Sequence, residues 1–201
     1  MVKKKDYHHG DLRNALLVAA RAELSEKGPE KFSLRGCAKR AGVSHAAPAH
    51  HFKDTGALLQ AVAADGFAQL TRELQSSQQE AGSDAKAQLL ATYIGYIQYG
   101  VSNPQLFNLM FGGHAQDMKD ALLQRNGEAA FSMLVNAVAR LRGQAAFQTE
   151  AGWRDVTALW SMSHGYAQLA SSNKMDYVTS LPFAEQRPYI EDMLLRIIDS
   201  A

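Results

Sequence analysis

Apolar residues recur at helical spacing from the start of the chain. Leu12, Leu16, Ala19, Ala20 and Leu24 form one stripe behind Asp11, whose carboxylate suits an N-cap, and Gly28-Pro29 stops that helix. Ser33 can cap a second, short helix with Leu34, Cys37, Ala38 and Ala41 facing inward at i, i+3, i+4 and i+7, ended by Gly42. Val43 plugs the turn, Ser44 is the expected cap of a third helix, and Phe52 is its inward anchor. A fourth helix starts near Thr55 and carries Leu58, Leu59, Val62, Phe67 and Leu70 to the polar stretch QSSQQEAGSD at 75–84. Beyond it, 84–102 carries Leu89, Leu90, Tyr93, Ile94 and Ile97, and Pro104 opens PQLFNLMF. Residues 117–142 are amphipathic and open to a break near Gly127, 150–172 are apolar on more than one side, and 184–199 close the chain. No strand-like alternation, repeat or low-complexity tract interrupts this pattern. The predicted fold class is all-α, with about nine helices.

Helix, glycine-bearing turn, helix is the arrangement whose second helix enters the major groove of DNA. The segment RAGVSHAAPAHHF at 40–52 fits that role chemically. Small side chains let a backbone approach base edges, and alanine can touch a thymine methyl. With Ser44 as cap, His45, Ala46 and Ala47 form the first turn, while His50, His51 and Lys53 lie near the end, suited to phosphate oxygens. Pro48 then falls at the fourth helical position, where its missing N–H removes one bond, which a short helix held by Val43 and Phe52 tolerates.

Charge sharpens this picture. The formal net charge of +1 hides 11 Lys/Arg against 6 Asp/Glu in residues 1–60, and 10 against 14 in residues 61–201. A basic front end joined to an acidic remainder suits a polyanionic partner for the front. With 201 residues, 46% hydrophobic and 20% charged, the chain can build a sizeable core. The single Cys37 rules out an internal disulfide and fits a reducing compartment, and nothing reads as a signal or membrane span. The expected location is cytoplasmic.

Residues 7–60 resemble the DNA-binding domain of the TetR/AcrR family of bacterial transcriptional regulators. The resemblance rests on YHHGDLR at 7–13, SLRGCAKRAGVSHAAPAHHF at 33–52 and Leu58-Leu59. It implies a three-helix helix-turn-helix domain over 1–54 and a larger helical ligand-binding and dimerisation domain over 55–201. The DNA-facing set is then Ser33, Arg35, Ser44, His45, Ala46, Ala47, Ala49, His50, His51 and Lys53, with Lys3, Lys4 and Lys5 as a basic arm. Three positions depart from the family pattern. Ala49 stands where a phosphate-contacting tyrosine is common, Thr55 where lysine is, and Gly36 replaces a better helix former. The first two weaken the grip by about 1 kcal/mol each if each replaces one ordinary hydrogen bond.

The second half resembles the branch of that family marked by a tryptophan–x–x–x–histidine–glycine motif, here Trp160, His164 and Gly165, preceded by NPQLFNLMFG at 103–112. Gly165 within a helix costs about 1 kcal/mol relative to alanine, which close approach of another helix would justify. The resemblance implies an apolar cavity with Tyr93, Tyr96, Phe107, Met110, Phe111, Phe131 and Trp160 on its walls, alongside Met133, suited to a small, largely apolar effector, with His164 either a hydrogen-bonding ligand contact or a satisfied core or interface histidine. It also implies a homodimer through the last two helices. Trp153, Tyr189, Ile190, Met193, Leu194 and Ile197 are the expected interface, since Tyr189 and Leu195 broaden the final apolar stripe beyond what one core face needs.

Other chemistries find little support. Adjacent histidines on one helix point about 100° apart, so neither pair makes a chelating face, and no zinc-type spacing exists. No G-x-S-x-G, Walker-type loop or H-E-x-x-H occurs, so catalysis, cofactor and metal are all expected to be absent. The expected partners are double-stranded operator DNA, a second copy of the chain and an effector, with no membrane. A ligand-independent DNA-binding protein, or an activator, is the alternative.

Overall fold

A computed structural model describes residues 9–112, 120–172 and 174–199, with side chains from Leu12 onward. Among the described residues there are nine α-helices and no strand: α1 (His9–Lys27), α2 (Leu34–Arg40), α3 (Thr55–Glu80), α4 (Ala85–Ser102), α5 (Pro104–Phe111), α6 (Ala121–Arg142), α7 (Glu150–Ser171), α8 (Asp176–Thr179) and α9 (Phe183–Asp199). Two 3-10 turns, Ala47–His50 and Gln144–Phe147, complete the set. The all-α expectation holds. No helix among these residues is long and apolar enough to cross a membrane.

The chain divides into two compact units, Met1–Gly66 with Gln105–Leu123, and Phe67–Pro104 with Gln124–Ala201. The units interleave along the chain, with the start of α3 and α5 from Gln105 onward grouped with the helix-turn-helix. In the first unit, Leu16, Ala20 and Leu24 of α1 are buried with Cys37 and Ala38 of α2, Phe52, and Leu58 and Val62 of α3. Gly28, with φ at 71°, ends α1 as its N–H reaches the Leu24 carbonyl at 2.8 Å. Gly66 on α3 gives room to α5, since a Cβ there would lie 2.7 Å from Met110 Sδ.

In the second unit α4 packs along α7, and α9 closes on both. The shared interior holds Leu89, Tyr93, Tyr96, Ile97, Leu159, Tyr166, Ile190 and Leu194. Asp84 caps α4 through the Ala87 N–H at 2.7 Å. Arg142 ties the ends of two helices together: its Nε donates to Asp155 Oδ2 at 2.7 Å and its terminal nitrogen to the Ile198 carbonyl at 2.6 Å.

Several boundaries differ from the sequence pattern. Asp11 lies inside α1, which starts at His9. The polar stretch at 75–84 stays helical to Glu80, because Leu74 and Gln78 still face the interior. Gly127 does not break α6, which runs unbroken past it. Only the part of the expected 117–142 helix from Asp120 onward lies within the described residues, as do none of Lys3, Lys4 and Lys5.

Candidate nucleic-acid interface

Ser33 is extended and its Oγ accepts the Gly36 N–H at 3.1 Å, so α2 starts where the sequence indicates. After Arg40 the chain turns through Gly42 at φ 69°, a left-handed conformation that glycine adopts without strain. The Val43 N–H closes that turn onto the Ala38 carbonyl at 3.0 Å.

The reader segment is not the α-helix capped by Ser44 that the sequence suggests. It is a 3-10 turn over Ala47–His50 with Ala46 in the capping position and no side-chain cap. The Ser44 contribution is its carbonyl, which accepts the Ala47 N–H at 3.0 Å. Pro48 therefore occupies the second position of the turn, where an N–H has no intrahelical acceptor and its loss removes nothing. The Pro48 carbonyl accepts from both His51 and Phe52, at 3.0 and 2.9 Å.

Two anchors hold this turn from behind. Pro48 is buried, and Phe52 is 5% exposed with the Arg13 guanidinium 5.4 Å above its ring. The opposite side is open: Ser44, His45, Ala46, Ala49, His50 and Lys53 are exposed, and Ala47 and His51 half-buried. On α2, Arg35 is exposed and Ser33 half-buried. Of the expected DNA-facing residues within the described part, most are thus solvent-exposed, while the Ser33 hydroxyl is used as a cap.

One arrangement in this unit escaped the sequence reading. Glu23 is 1% exposed, and its Oε1 accepts from Lys27 Nζ at 2.7 Å while its Oε2 accepts from Arg40 Nε and its terminal nitrogen at 3.3 and 3.2 Å. Arg40 also pairs with Glu26. The Lys27 and Arg40 partners hold the Glu23 carboxyl below its ordinary range, against the opposing effect of burial. Burial, with the Glu23 charge nearby, pushes the Cys37 thiol up to about 11, so that cysteine stays protonated and inert. The signal was present: Glu23 falls seven residues after Leu16, on the apolar stripe of α1.

The residues expected around a cavity are not gathered in one unit. Phe107, Met110 and Phe111 belong to the first, where the Phe107 and Phe111 rings meet at 4.7 Å and Met110 packs on Gly66. Tyr93, Tyr96, Phe131, Trp160 and His164 belong to the second. There Trp160 Nε1 donates to the Tyr96 hydroxyl at 3.1 Å, the same hydroxyl meets His164 Nδ1 at 2.9 Å, and the Tyr93 hydroxyl donates to the Leu134 carbonyl at 3.4 Å. Phe131 packs on Trp160 at 5.0 Å. Burial raises the pKa of both tyrosines and lowers that of His164, so all three are neutral in this interior.

Open space in the second unit lies elsewhere. A groove of about 540 Å³ is lined by Arg142, Ala146, Ala151, Arg154, Asp155, Ala158 and Ile197, and one of about 450 Å³ by Glu150, Trp153, Arg154, Thr157, Ala158 and Ser161. Among the expected interface residues, Trp153 is 49% and Tyr189 59% exposed, while Met193 and Ile197 are half-buried. Ile190 and Leu194 are completely enclosed within the subunit, because α9 uses that i, i+4 row to pack on α4 and α7. A Cβ on Gly165 would meet nothing within 4 Å, so no helix among the described residues explains that glycine.

The fold and the exposed reader segment define a helix-turn-helix transcription regulator. Residues 16–62 match the family described as bacterial regulatory proteins, tetR family, and residues 89–189 match the tetracyclin repressor-like C-terminal domain. The chain belongs to the TetR family. A protein of unknown function from Rhodococcus sp. RHA1 is similar along 96% of this chain and 98% of its own, at 33% identity and a TM-score of 0.79. A TetR family transcription regulator from Marinobacter aquaeolei VT8 aligns over 94% of both chains, at 22% identity and a TM-score of 0.65. The fatty acid degradation regulator FadR of Bacillus halodurans shares the fold over 90% of this chain and 97% of its own, with 12% identity and a TM-score of 0.68. No curated protein matches the chain in sequence.

Proposed function

We propose that this regulator is a homodimeric repressor that acts in the cytoplasm and leaves a roughly palindromic operator when a small, largely apolar effector binds. The observation that carries the DNA half is the reader turn, pinned by Pro48 and Phe52 while Ser44, His45, Ala46, Ala49, His50 and Lys53 face outward. Small side chains there admit base edges, and the basic ones suit phosphates. One such short module binds weakly, and two in a dimer span half-sites about 34–36 Å apart.

Dimerisation is supported by the apolar row of exposed Tyr189 and half-buried Met193 and Ile197 on α9, by exposed Trp153, and by the open space over Gly165. Trp160, His164 and Gly165 support placement in the branch marked by that motif. Effector release follows the same reading. A ligand shifts a two-state balance only by its differential affinity, and about 5.5 kcal/mol carries 1:99 to 99:1.

A ligand-independent regulator is favoured by one observation: Tyr93, Tyr96 and Phe107 are filled in by protein atoms. Thermal shift against a small-molecule library separates the two, since a ligand of the folded state raises the midpoint with concentration and a solid interior gives no shift. A mobility-shift assay on DNA adjoining the protein's own gene tests the common core. A discrete complex surviving moderate salt is expected; retention no better than on unrelated DNA contradicts it.

A further inference from the structure

We propose that Glu23 is a positioning residue for operator recognition, its carboxylate seated in the hollow that Gly36 leaves so that α2, and the reader turn behind it, adopt one rotational setting against α1. This rests on the DNA-binding reading above and adds the device that aims the reader.

A helix of seven residues cannot hold itself in place, so its setting comes from what it touches. Its buried side chains are Cys37 and Ala38, small and non-directional in their contacts. Direction comes from the carboxylate. Each oxygen has its own cation: Lys27 donates to Oε1, while Arg40 Nε and a terminal nitrogen, the latter shared with Glu26, converge as a fork on Oε2, a two-donor grip that a guanidinium makes and an ammonium does not. The hollow is equally selective. A Cβ at position 36 would lie 2.0 Å from Glu23 Oε1 and 2.7 Å from its Cδ. Every other residue of the helix LRGCAKR carries a Cβ, so turning α2 about its axis would push one into the carboxylate. Arg40 is the last residue of α2, the reader turn packs on that helix, and Ser44 follows four positions later. The glycine that looks like a poor helix former is therefore the mate of a charge thirteen residues earlier.

The test is a double-mutant cycle on the full-length chain. The probe is the duplex that the wild-type chain enriches from a random-sequence library, compared with a mixed-sequence duplex at equal salt, well below every variant's melting midpoint. Gly36→Ala is expected to lower the preference for the enriched duplex by about tenfold, with mixed-sequence affinity nearly unchanged, the scale of direct coupling between touching residues. Glu23→Ala lowers it too. In the Glu23→Ala background, Gly36→Ala should cause no further loss and should raise the melting midpoint, since alanine is the better helix former once the carboxylate is gone. Losses that simply add, or a Gly36→Ala chain with full discrimination, overturn the proposal. If Gly36→Ala does not fold, Arg40→Lys carries the test: it keeps the charge and loses the fork, and unchanged discrimination would overturn the assignment. A wild-type chain that enriches no sequence overturns the DNA reading itself, and is distinguished by a cycle that still couples in thermal unfolding.

Discussion

The reader turn and the final helix use the same device at different lengths. In the turn, Pro48 and Phe52 are buried four residues apart; in α9, Ile190, Leu194 and Ile198 repeat that step. What differs is the face left over. Around the turn it is Ser44, His45, Ala46, Ala49, His50 and Lys53, small or basic; along α9 it includes a large apolar row, exposed Tyr189 with half-buried Met193 and Ile197, flanked by the exposed charges of Arg187, Asp192 and Arg196. Anchors fix an element in its subunit, whereas the residual face tells what chemistry it can meet. A slim basic face suits a polyanion, and an apolar one suits another protein surface.

The largest effects should come from the anchors. Phe52→Ala is expected to lower unfolding free energy by about 3–5 kcal/mol, and Leu194→Ala by about 2–5 kcal/mol, read by urea titration. Met193→Ala, one position away, should change subunit stability by less than about 1 kcal/mol while shifting sedimentation toward the monomer. Equal effects at 193 and 194 would erase the distinction between anchor and residual face.

A smaller effect probes the charge beneath the reader. The folded Glu23 carboxyl is held below its ordinary value, so its pairing stabilises fully above the usual carboxylate range and loses that contribution as pH falls through the folded value. The stability gap between wild type and Glu23→Gln should therefore be present at pH 7 and shrink in acid. A gap that widens on acidification contradicts the pairing. Pro48→Ala, the smallest truncation among the anchors, should cost about 0.4–1 kcal/mol through the unfolded chain plus about 0.8 kcal/mol for each buried methylene removed, with no hydrogen bond lost. A loss near zero would show that the ring does not anchor the turn.

Much of this was legible in residue order because local chemistry decides it. Ser33 caps what a cap should cap, Gly42 turns where a left-handed residue was needed, Asp84 and Pro104 start their helices, and the i, i+4 row of α9 reads directly. The misreadings involve long-range packing. Ser44 has the right side chain for a cap, yet Pro48 and Phe52 draw the segment into a tighter turn that starts later. Spacing shows that the Ile190–Leu194 row is apolar and does not show what covers it, which is the interior shared with α4 and α7. Eight aromatic, methionine and histidine positions suggested one cavity, but which unit each joins depends on where α5 packs. Glu23 and Gly36 are thirteen positions apart, and only the fold reveals that one accommodates the other.

Contact with DNA is expected along the exposed side of Ser44–Lys53. Ala46→Glu tests it most directly, because Ala46 is exposed and supports no core contact of its own. With DNA adjoining the protein's own gene, the variant should keep the wild-type melting midpoint and lose about a hundredfold in affinity, as a carboxylate is driven against phosphates and base edges. Wild-type affinity from a folded Ala46→Glu chain would contradict the account.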